Sequence, residues 1–373
     1  MLDGSPTDLS PVTYKNTKTP VLTAMSTRFG SVLGNESVTF TGTDFSDSAT
    51  TTVTIDNRAC AVTAQTATSV TCTTSNKPYV PDTPTLVINI DGMGDVATMG
   101  KQFLYVSKWS APETWGNDLP PQEGEAVQVP KGQHLLFDID ASPKLSFLNI
   151  EGSLIFAPST DPAHQRTFDC HYILVKGGYM EVGTEENRYT SKMTITMWST
   201  KYDPQIPLFG NKVIGVNYGT LDMHGIERPI TWTDLKTTAD AGATSITLND
   251  RGGVALDWQV GEEIVIAPTT YSGRDAEQRT IKTITNVDTN PVITFDGPLL
   301  TKHYAGVQTF GTGDNQDTIE MRAEVGLLTR NVKFKGDDEH SPDNQYGAVI
   351  ICHSPGDEST ICRIDSCELT QVG

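Results

Sequence analysis

Three residues near the C-terminal end of the sequence, His353, Asp365 and Glu368, are of the types that perform acid–base chemistry. In a stack of parallel strands, successive turns of the chain lie about 4.8 Å apart and hold side chains in rows on one face. Two carboxyl groups in such a row could act on a glycosidic bond as acid and nucleophile. The surrounding "DSCELTQ" is equally typical of an outward, solvated Glu368. The three residues are candidates only, and no catalytic residue is assigned.

The acidic segment "KGDDEHSPDNQYG" (335–347) is a candidate metal site, with Asp337 and Asp338 as the candidate ligands. Carboxylate oxygens are the ligands that calcium prefers. The segment departs from the D-x-[DN]-x-[DN]-G spacing of a calcium loop. An exposed acidic loop is the alternative interpretation, so calcium is the one cofactor considered and none is assigned.

The segment 108–140 combines Trp109 and Trp115 with acidic residues, prolines and glycines. Indole rings beside acidic groups could stack on a glycan. Such a composition is also expected where an atypical cap covers the first apolar turn of a solenoid. We favour the cap, with both indole rings packed over that end. A glycan-binding alternative would also use Trp232 and Trp258. The acidic residues expected at the turns and rim are Glu113, Glu123 and Glu125.

Cys60 and Cys72 lie in two strand-like runs, "TTVTIDNRAC" and "SVTCTTS". A disulfide between them would stabilise the fold by roughly 3 kcal/mol in an oxidising compartment, and two buried thiols are the alternative. Asn35 begins an N-x-[ST] sequon, which agrees with secretion. Cys170, in the apolar run "TFDCHYILV", is expected to be a buried thiol. A disulfide between two of the three remaining cysteines is also expected, and their spacing does not decide which two pair. These cysteines are Cys352, Cys362 and Cys367.

The overall charge argues against nucleic acid as a partner. The chain has 27 Lys and Arg against 46 Asp and Glu, for a net charge of -19, and no basic run. No cysteine spacing matches a zinc site. No apolar stretch reaches the roughly 18 residues that cross a bilayer, and the first ten residues lack the apolar core of a signal peptide. The chain as given is expected to be soluble, and a secreted origin requires it to be a piece of a longer protein.

Nearly every segment is typical of a β-strand, so the fold class is all-β. From 19 to about 106, strands recur every 8 to 12 residues, as in an antiparallel sandwich. Further on, "ILVKGGYMEVG" (173–183) and "IGVNYGTLDMHG" (214–225) align position by position, and "LNIEGSLIF" (148–156) is a third copy. Repeated strand, glycine corner and strand predict a solenoid. Three unrelated hairpins are the alternative.

The segment "TPVLTAMSTRFGSVLGNESVTFTGTDF", with Cys60, Cys72 and "LVINIDGMGDVATMGKQFLYV", resembles an IPT/TIG domain, an immunoglobulin-like sandwich. The run "WSAPETWGNDLPPQEGEAVQVPKGQHLLFDIDASPKLSFLNIEGSLIF", with "ILVKGGYMEVGT", is similar to the G8 domain. This order of domains resembles the fibrocystin-L-like proteins and, more distantly, the cell-migration-inducing hyaluronidases. The resemblance implies a right-handed parallel β-helix after the G8 domain, and "TICRIDSCELTQVG" is similar to one of its turns. The expected boundaries are the end of a preceding IPT repeat or a linker (1–18), IPT/TIG (19–107), G8 (108–232), and a G8-associated region with the first β-helix turns (233–373).

The resemblance implies an extracellular structural or receptor-like segment of a large cell-surface protein, in a surface coat, adhesion or a ciliary or stereociliary assembly. Its partners would be other extracellular proteins or glycans, and the parent would be membrane-anchored or secreted. The alternative is a β-helix enzyme that binds glycosaminoglycans or degrades hyaluronan. Two features weaken this alternative. The chain has "YGAVIICH" where the hyaluronidases have Gly-Gly-His, and its net negative charge is a poor match for polyanionic hyaluronan.

Overall fold

The computed structural model describes residues 19–77 and 84–373, and strands form nearly all of its regular structure. The all-β prediction is therefore confirmed. The segment 1–18, expected to end a preceding domain or to be a linker, lies outside the described residues. The chain divides into two compact units. The first holds the described residues up to Pro120 with Gln128–Phe137 and Ile150–Leu154, and the second holds the remainder.

The first unit is built mainly of antiparallel strands. They are β1 (Val21–Met25), β2 (Phe29–Ser31), β3 (Ser37–Thr43), β4 (Thr51–Ile55), β5 (Arg58–Thr66), β6 (Ser69–Thr73), β7 (Leu86–Ile90), β8 (Gly94–Asp95) and β9 (Leu104–Lys108), followed by a 3-10 turn at Pro112–Trp115. Seven of them pair in the order β1-β3-β6-β5-β4-β7-β8, and β2 pairs with β9 in parallel. Alternate side chains face one core, among them Val38 and Phe40 of β3 and Ile88 and Ile90 of β7.

Four short strands come next along the chain. They are β10 (Ala126–Val129), β11 (His134–Phe137), β12 (Phe147–Ile150) and β13 (Ser153–Phe156). The third repeat copy recognised in the sequence, 148–156, supplies most of β12 and all of β13. Its glycine lies at the corner between the two strands, where a repeat unit of this kind requires a tight change of direction.

Six further strands of the second unit form two complete turns of the chain. The first turn contains β14 (Gln165–Cys170), β15 (Tyr172–Lys176) and β16 (Tyr179–Val182), and the second contains β17 (Lys192–Met197), β18 (Val213–Asn217) and β19 (Thr220–His224). Each strand of the first turn pairs in parallel with its counterpart in the second. This succession of strands is the one that the sequence predicts for a solenoid.

The register between the two turns reproduces the alignment of the two sequence repeats. Gly219 lies at the second corner, where an added Cβ would come within 2.7 Å of the Gly178 carbonyl oxygen, so a larger residue does not fit. The aligned pairs are Ile173 with Ile214, Val175 with Val216, Met180 with Leu221, Glu181 with Asp222, and Val182 with Met223.

A separate antiparallel domain interrupts the stack after the second turn. Its strands are β20 (Trp232–Asp234), β21 (Ser245–Thr247), β22 (Glu263–Ile266), β23 (Glu277–Thr285), β24 (Val292–Phe295), β25 (Val307–Phe310), β26 (Asp317–Glu320) and β27 (Glu324–Leu327), with 3-10 turns at Gly273–Asp275 and Gly313–Asn315. Six strands pair in the order β20-β27-β22-β23-β24-β21, and β25 pairs with β26. A bridge from Leu235 to Leu248 joins the two ends of that order around a core that includes Ile264 and Trp258. We call this part, 230–327, the inserted domain. The sequence did not distinguish it from the G8-associated region.

The chain then resumes the stack. The remaining elements are β28 (Val332–Gly336), the short helix α1 (Ser341–Asn344), β29 (Val349–His353), β30 (Ile361–Asp365) and β31 (Cys367–Thr370). The second unit therefore contains three parallel series, β14-β17-β28-β31, β15-β18-β29 and β16-β19-β30. The segment "TICRIDSCELTQVG" supplies β30 and β31, which pair in parallel with β19 and β28. A right-handed parallel β-helix stays a prediction.

One buried carboxylate holds the loop after β24 in the inserted domain. Glu277 accepts hydrogen bonds from the backbone N–H groups of Leu300 (2.9 Å) and Thr301 (2.8 Å), lies 3.1 Å from Nε2 of His303, and pairs with Arg279. Burial by itself would raise the pKa of Glu277, but these hydrogen bonds to the charged form lower it to about 2.

We expect Glu277→Gln to destabilise the inserted domain by about 3 kcal/mol at neutral pH, because the folded state holds the pKa of this group well below its ordinary value. The contribution of a carboxyl whose pKa is lowered on folding is complete above the unfolded pKa and is lost as pH falls towards 2. Urea unfolding at pH 7 and pH 3 would measure it. The exposed Glu263→Gln is the control and should unfold like the parent. An equal pH dependence in the parent and in Glu277→Gln would contradict the assignment.

Candidate functional site

The three catalytic candidates lie in three different sheets of the stack. His353 ends β29, Asp365 ends β30, and Glu368 lies in β31. The expectation that their spacing places them in one row on adjacent turns is therefore wrong. Each corner of the chain turns the following strand towards a different sheet, and a corner separates each candidate from the next.

Both carboxylates among these candidates are already paired. Asp365 forms a 2.5 Å ion pair with Arg188, whose hydrogen bond lowers the pKa of the carboxyl. Glu368 forms a 2.7 Å ion pair with Lys333. His353 is exposed, and its Nδ1 lies 3.5 Å from the side-chain oxygen of Asn217. This arrangement supports ion pairing and gives no acid–base pair that could act on one bond.

A different pair of carboxylates does stand in one row. Glu181 of β16 and Asp222 of β19 face each other in the parallel register, and both are buried. The hydroxyl oxygen of Tyr179 lies 2.9 Å from Glu181 Oε2 and 3.2 Å from Asp222 Oδ2. Arg363 of β30 donates to both oxygens of Asp222, at 2.9 and 3.0 Å. We call these four residues the carboxylate ladder.

The carboxylate ladder was within reach of sequence reasoning, because the repeat alignment already sets Glu181 against Asp222. Two stacked carboxylates repel each other unless a cation or a shared proton compensates. Here Arg363 supplies the cation, and it does so from the next turn of the stack. The carboxylate ladder therefore connects the three neighbouring strands β16, β19 and β30, and the charge of Asp222 is compensated by another residue of the protein.

Asp337, one of the two candidate calcium ligands, is buried against a lysine. Lys212 Nζ lies 2.6 Å from Asp337 Oδ2 and 2.7 Å from the hydroxyl of Ser341, and both members of the ion pair are fully inaccessible to solvent. Burial would raise the pKa of Asp337, but hydrogen bonds from Lys212 and His340 lower it. The lysine ammonium occupies the position that a cation would take, so Asp337 does not serve as the candidate calcium ligand, and its burial also contradicts the exposed loop at this residue.

The second candidate, Asp338, is exposed and pairs with Lys335 at 2.6 Å. It also accepts a 2.8 Å hydrogen bond from Gln371. Within 19–77 and 84–373, no group of three or more His, Cys, Asp and Glu residues is arranged to hold a metal ion.

The tryptophans differ in what they offer a ligand. Trp109 is completely buried, with its ring 5.1 Å from that of Trp115 and 5.3 Å from that of Phe137, so it packs and has no exposed face for a sugar. The partly buried Trp115 donates its indole N–H to the Trp109 carbonyl at 2.8 Å. Trp258 is buried in the core of the inserted domain. Trp232 is half exposed, with the Arg251 guanidinium 4.0 Å from its ring centre. The stacking hypothesis for Trp109 is corrected accordingly.

Two disulfides staple the chain, one in each unit. Cys60 of β5 is bonded to Cys72 of β6, and Cys352 of β29 is bonded to Cys362 of β30, which the spacing had left undecided. The thiol of Cys170 is buried, and burial raises its pKa to about 12. The remaining Cys367 thiol also has its pKa raised by burial, to about 11. Thiols of this kind are poor nucleophiles at neutral pH.

Asn35, the sequon residue, is exposed between β2 and β3. None of the helices among the described residues is long and apolar enough to cross a membrane.

Comparison with known proteins agrees with this architecture. Residues 20–105 match the IPT/TIG domain, and residues 114–236 match the G8 domain. Fibrocystin-L of Mus musculus is 35% identical over 97% of this chain, and fibrocystin-L of Homo sapiens is 33% identical over 94%. Fibrocystin of Mus musculus is 29% identical over 76%. The chain spans only 9%, 8% and 7% of the lengths of these three proteins.

The two domains and the parallel sheets that accompany them define an IPT/TIG and G8 protein. Within that class, the chain belongs to the fibrocystin-L-like family. The family and its domains indicate an extracellular or cell-surface protein. The more distant relation to the hyaluronidases stays a prediction.

We expect Trp115→Ala to lower the free energy of unfolding of the first unit by about 2 kcal/mol, since it removes both the ring contact and the hydrogen bond to Trp109. Thermal unfolding measures this loss. Trp232→Ala, at a half-exposed tryptophan, is the control and should change stability by less than about 1 kcal/mol. An unchanged melting temperature in Trp115→Ala would show that this ring has no packing role.

We expect Lys212→Met to destabilise the stack by about 3 to 5 kcal/mol, because it leaves Asp337 buried without its ammonium partner. The double variant Lys212→Met with Asp337→Leu should recover most of the stability that Lys212→Met loses, because no buried charge is then left without a partner. Urea unfolding of the two variants separates these outcomes. Lys335→Met, which breaks the exposed pair with Asp338, should cost less than about 1 kcal/mol. A double variant as unstable as the single one would show that Lys212 acts through another contact.

Proposed function

We propose that this chain is a structural, receptor-like extracellular segment of a large cell-surface protein. The observation that carries the proposal is how the charged side chains of the stack are used. Four ion pairs connect strands or loops of different turns: Arg363 with Asp222, Arg188 with Asp365, Lys333 with Glu368, and Lys212 with Asp337. Groups that could do chemistry are engaged in holding turns together.

Rigidity is the property that these contacts provide. Isolated surface ion pairs contribute little, but Lys212 with Asp337 is fully buried and the Asp222 carboxylate is almost so. The disulfide between Cys352 and Cys362 links β29 to β30. A segment stapled in this way suits a protein that must keep its shape outside the cell, where disulfides persist.

The proposal extends to the finer role that the family resemblance implies. The segment would present rigid, glycosylated modules in a surface coat, in adhesion or in a cilium-associated assembly, with other extracellular proteins or glycans as partners. The exposed Asn35 and the two disulfides support an extracellular location. The catalytic alternative receives less support, since the expected catalytic residues lie in three sheets.

The proposal is tested by directing the chain into the secretory pathway of mammalian cells. We expect a secreted protein that carries a glycan at Asn35 and both disulfides, measured by enzymatic deglycosylation and by peptide mass mapping. Asn35→Gln is the matched control and should lack the glycan. We also expect hyaluronan of defined length to keep its size after incubation with the protein, with or without calcium.

Two results would overturn the proposal. Retention of a misfolded chain with free Cys60 and Cys72 would contradict an extracellular fold. Shortening of hyaluronan would establish an enzyme in place of a purely structural segment.

A further inference from the structure

An open groove of about 410 Å³ lies in the second unit, apart from the carboxylate ladder. One wall carries the aromatic rings of Phe147 from β12 and Tyr172 from β15, whose centres are 6.4 Å apart. The other wall is the segment 203–206, which belongs to the loop between β17 and β18. The volume falls in the range of about 300 to 1,000 Å³ that is usual for binding sites of small groups.

The loop that forms the second wall, 198–212, is fixed against the stack. Phe209 is buried with its ring over Gly215 of β18, where an added Cβ would come within 2.7 Å of that ring. The hydroxyl group of Tyr172 donates a 2.6 Å hydrogen bond to the Pro204 carbonyl, across the groove. A loop anchored in this way has little conformational freedom left to lose when a ligand binds, so the groove is preformed.

The same loop holds two large apolar side chains out in solvent. Tyr202 and Leu208 are 78% and 75% exposed, and in sequence they lie on either side of the segment that lines the groove. Neither side chain is buried by the packing that anchors the loop at Phe209. A partner that covers Tyr202 and Leu208 would remove their apolar surface from water, which favours binding.

Asp203 gives the groove a negative charge that is not compensated by a cation. Its Oδ2 accepts a 2.6 Å hydrogen bond from the backbone N–H of Thr200, and its carbonyl oxygen accepts one from Asn211 at 2.9 Å. Asp203 forms no ion pair with any residue of 19–77 or 84–373. Since the backbone N–H binds at Oδ2, Oδ1 can accept a hydrogen bond from a ligand.

The base that lines the groove does not cancel this charge. The ring of His171 stacks on that of Tyr172, with the ring centres 6.4 Å apart. Burial lowers the pKa of His171 below its ordinary value, so its ring is neutral at pH 7. Lys144, which contributes to the same shift, holds its ammonium 3.7 Å from the ring centre of Trp198. The groove therefore combines flat rings with one carboxylate.

We propose that this groove binds an arginine side chain of a partner protein, with apolar residues on both sides of that arginine. The guanidinium group lies against the rings of Phe147 and Tyr172 and donates to Oδ1 of Asp203. The apolar neighbours of the arginine cover Tyr202 and Leu208.

The chemistry of arginine matches these walls. A guanidinium group is planar and weakly hydrated, stacks on aromatic rings and pairs with carboxylates, whereas a neutral side chain would leave Asp203 uncompensated. The net charge of -19 also favours the approach of a cationic partner. The inference goes beyond the structural role proposed above, and its failure would leave the secretion and disulfide results of that test unaffected.

The test is calorimetric titration of the intact chain with four acetylated and amidated pentapeptides. They are Ala-Leu-Arg-Leu-Ala, the same peptide with citrulline or with glutamate in place of arginine, and Ala-Ser-Arg-Ser-Ala. We expect Ala-Leu-Arg-Leu-Ala to bind and the glutamate peptide to fail. The citrulline peptide, which keeps the shape of arginine without its charge, should bind roughly tenfold more weakly. The serine peptide should also bind more weakly, because it lacks the apolar contacts.

Variants locate the site. Asp203→Asn should weaken binding of Ala-Leu-Arg-Leu-Ala roughly tenfold and leave the citrulline peptide unchanged, because asparagine keeps an acceptor for Thr200 and loses the charge. Phe147→Ala should weaken both peptides, since it removes one ring of the wall. Asp161→Asn is the matched control, because Asp161 also accepts a backbone N–H, that of Ala163 at 2.9 Å, and lies outside the groove. Unchanged urea unfolding of Asp203→Asn shows that its fold is intact.

Four outcomes would overturn the inference. Failure of Ala-Leu-Arg-Leu-Ala at millimolar concentration would show that the groove is not a site for arginine. Equal binding of the citrulline peptide would remove the cation from the ligand, and equal binding of the serine peptide would remove its apolar neighbours. A full preference for arginine over citrulline in Asp203→Asn would place the binding elsewhere.

Discussion

The parallel register of the stack is the constraint on which the second unit depends. Each residue of one turn lies beside its counterpart in the next, so like residues are stacked on like. Apolar rows inside the stack benefit from this, as with Ile173 beside Ile214. A row of charged side chains does not benefit, because the same register brings the buried Glu181 beside the buried Asp222. The polar contacts between turns compensate the repulsion between like charges that this register brings together.

The negative charge of Glu181 and Asp222 is compensated by residues that are far apart in the sequence. Arg363 reaches Asp222 from the following turn, and the hydroxyl of Tyr179 lies between the two carboxylates. Lys212 and Asp337 solve a similar problem at another corner, where a charged side chain is buried by the return of the chain. Neither arrangement requires a ligand. Both make the stack intolerant of single substitutions at these positions.

Sequence reasoning predicted the parts of the fold that repeat locally. The alignment of 173–183 with 214–225 anticipated the register, because glycine corners mark equal positions in successive turns. It failed for His353, Asp365 and Glu368, since a few residues at a corner decide which sheet a strand joins. It also missed the pairing of Lys212 with Asp337, which are 125 residues apart. No local sequence pattern indicates a contact between residues so far apart in the sequence.

The inserted domain was missed for a different reason. Its strands have the same alternation as strands of the stack, and only the closure of their order around Trp258 and Ile264 distinguishes them.

The way in which the inserted domain leaves and rejoins the stack explains a cleft of about 640 Å³, which is lined by residues of β17, of β28 and of the inserted domain. The chain departs after β19 and returns before β28, and Asn331 fastens both ends. Its side-chain N–H groups donate to the carbonyls of Tyr189 and Ser191, each at 2.7 Å, and its oxygen accepts from the backbone N–H of Ile226 at 2.7 Å. The segment that leads into the inserted domain is thereby held beside the stack.

Because that attachment fixes the departing and returning segments together, Arg228 and Arg330 stand close to the outer row of the stack that carries Lys192. Lys192 itself stays exposed, whereas Arg228 and Arg330 are partly buried where the inserted domain leaves and rejoins the stack. The stack and its ion pairs account for rigidity, and the interruption of the stack accounts for the cleft beside β17 and β28.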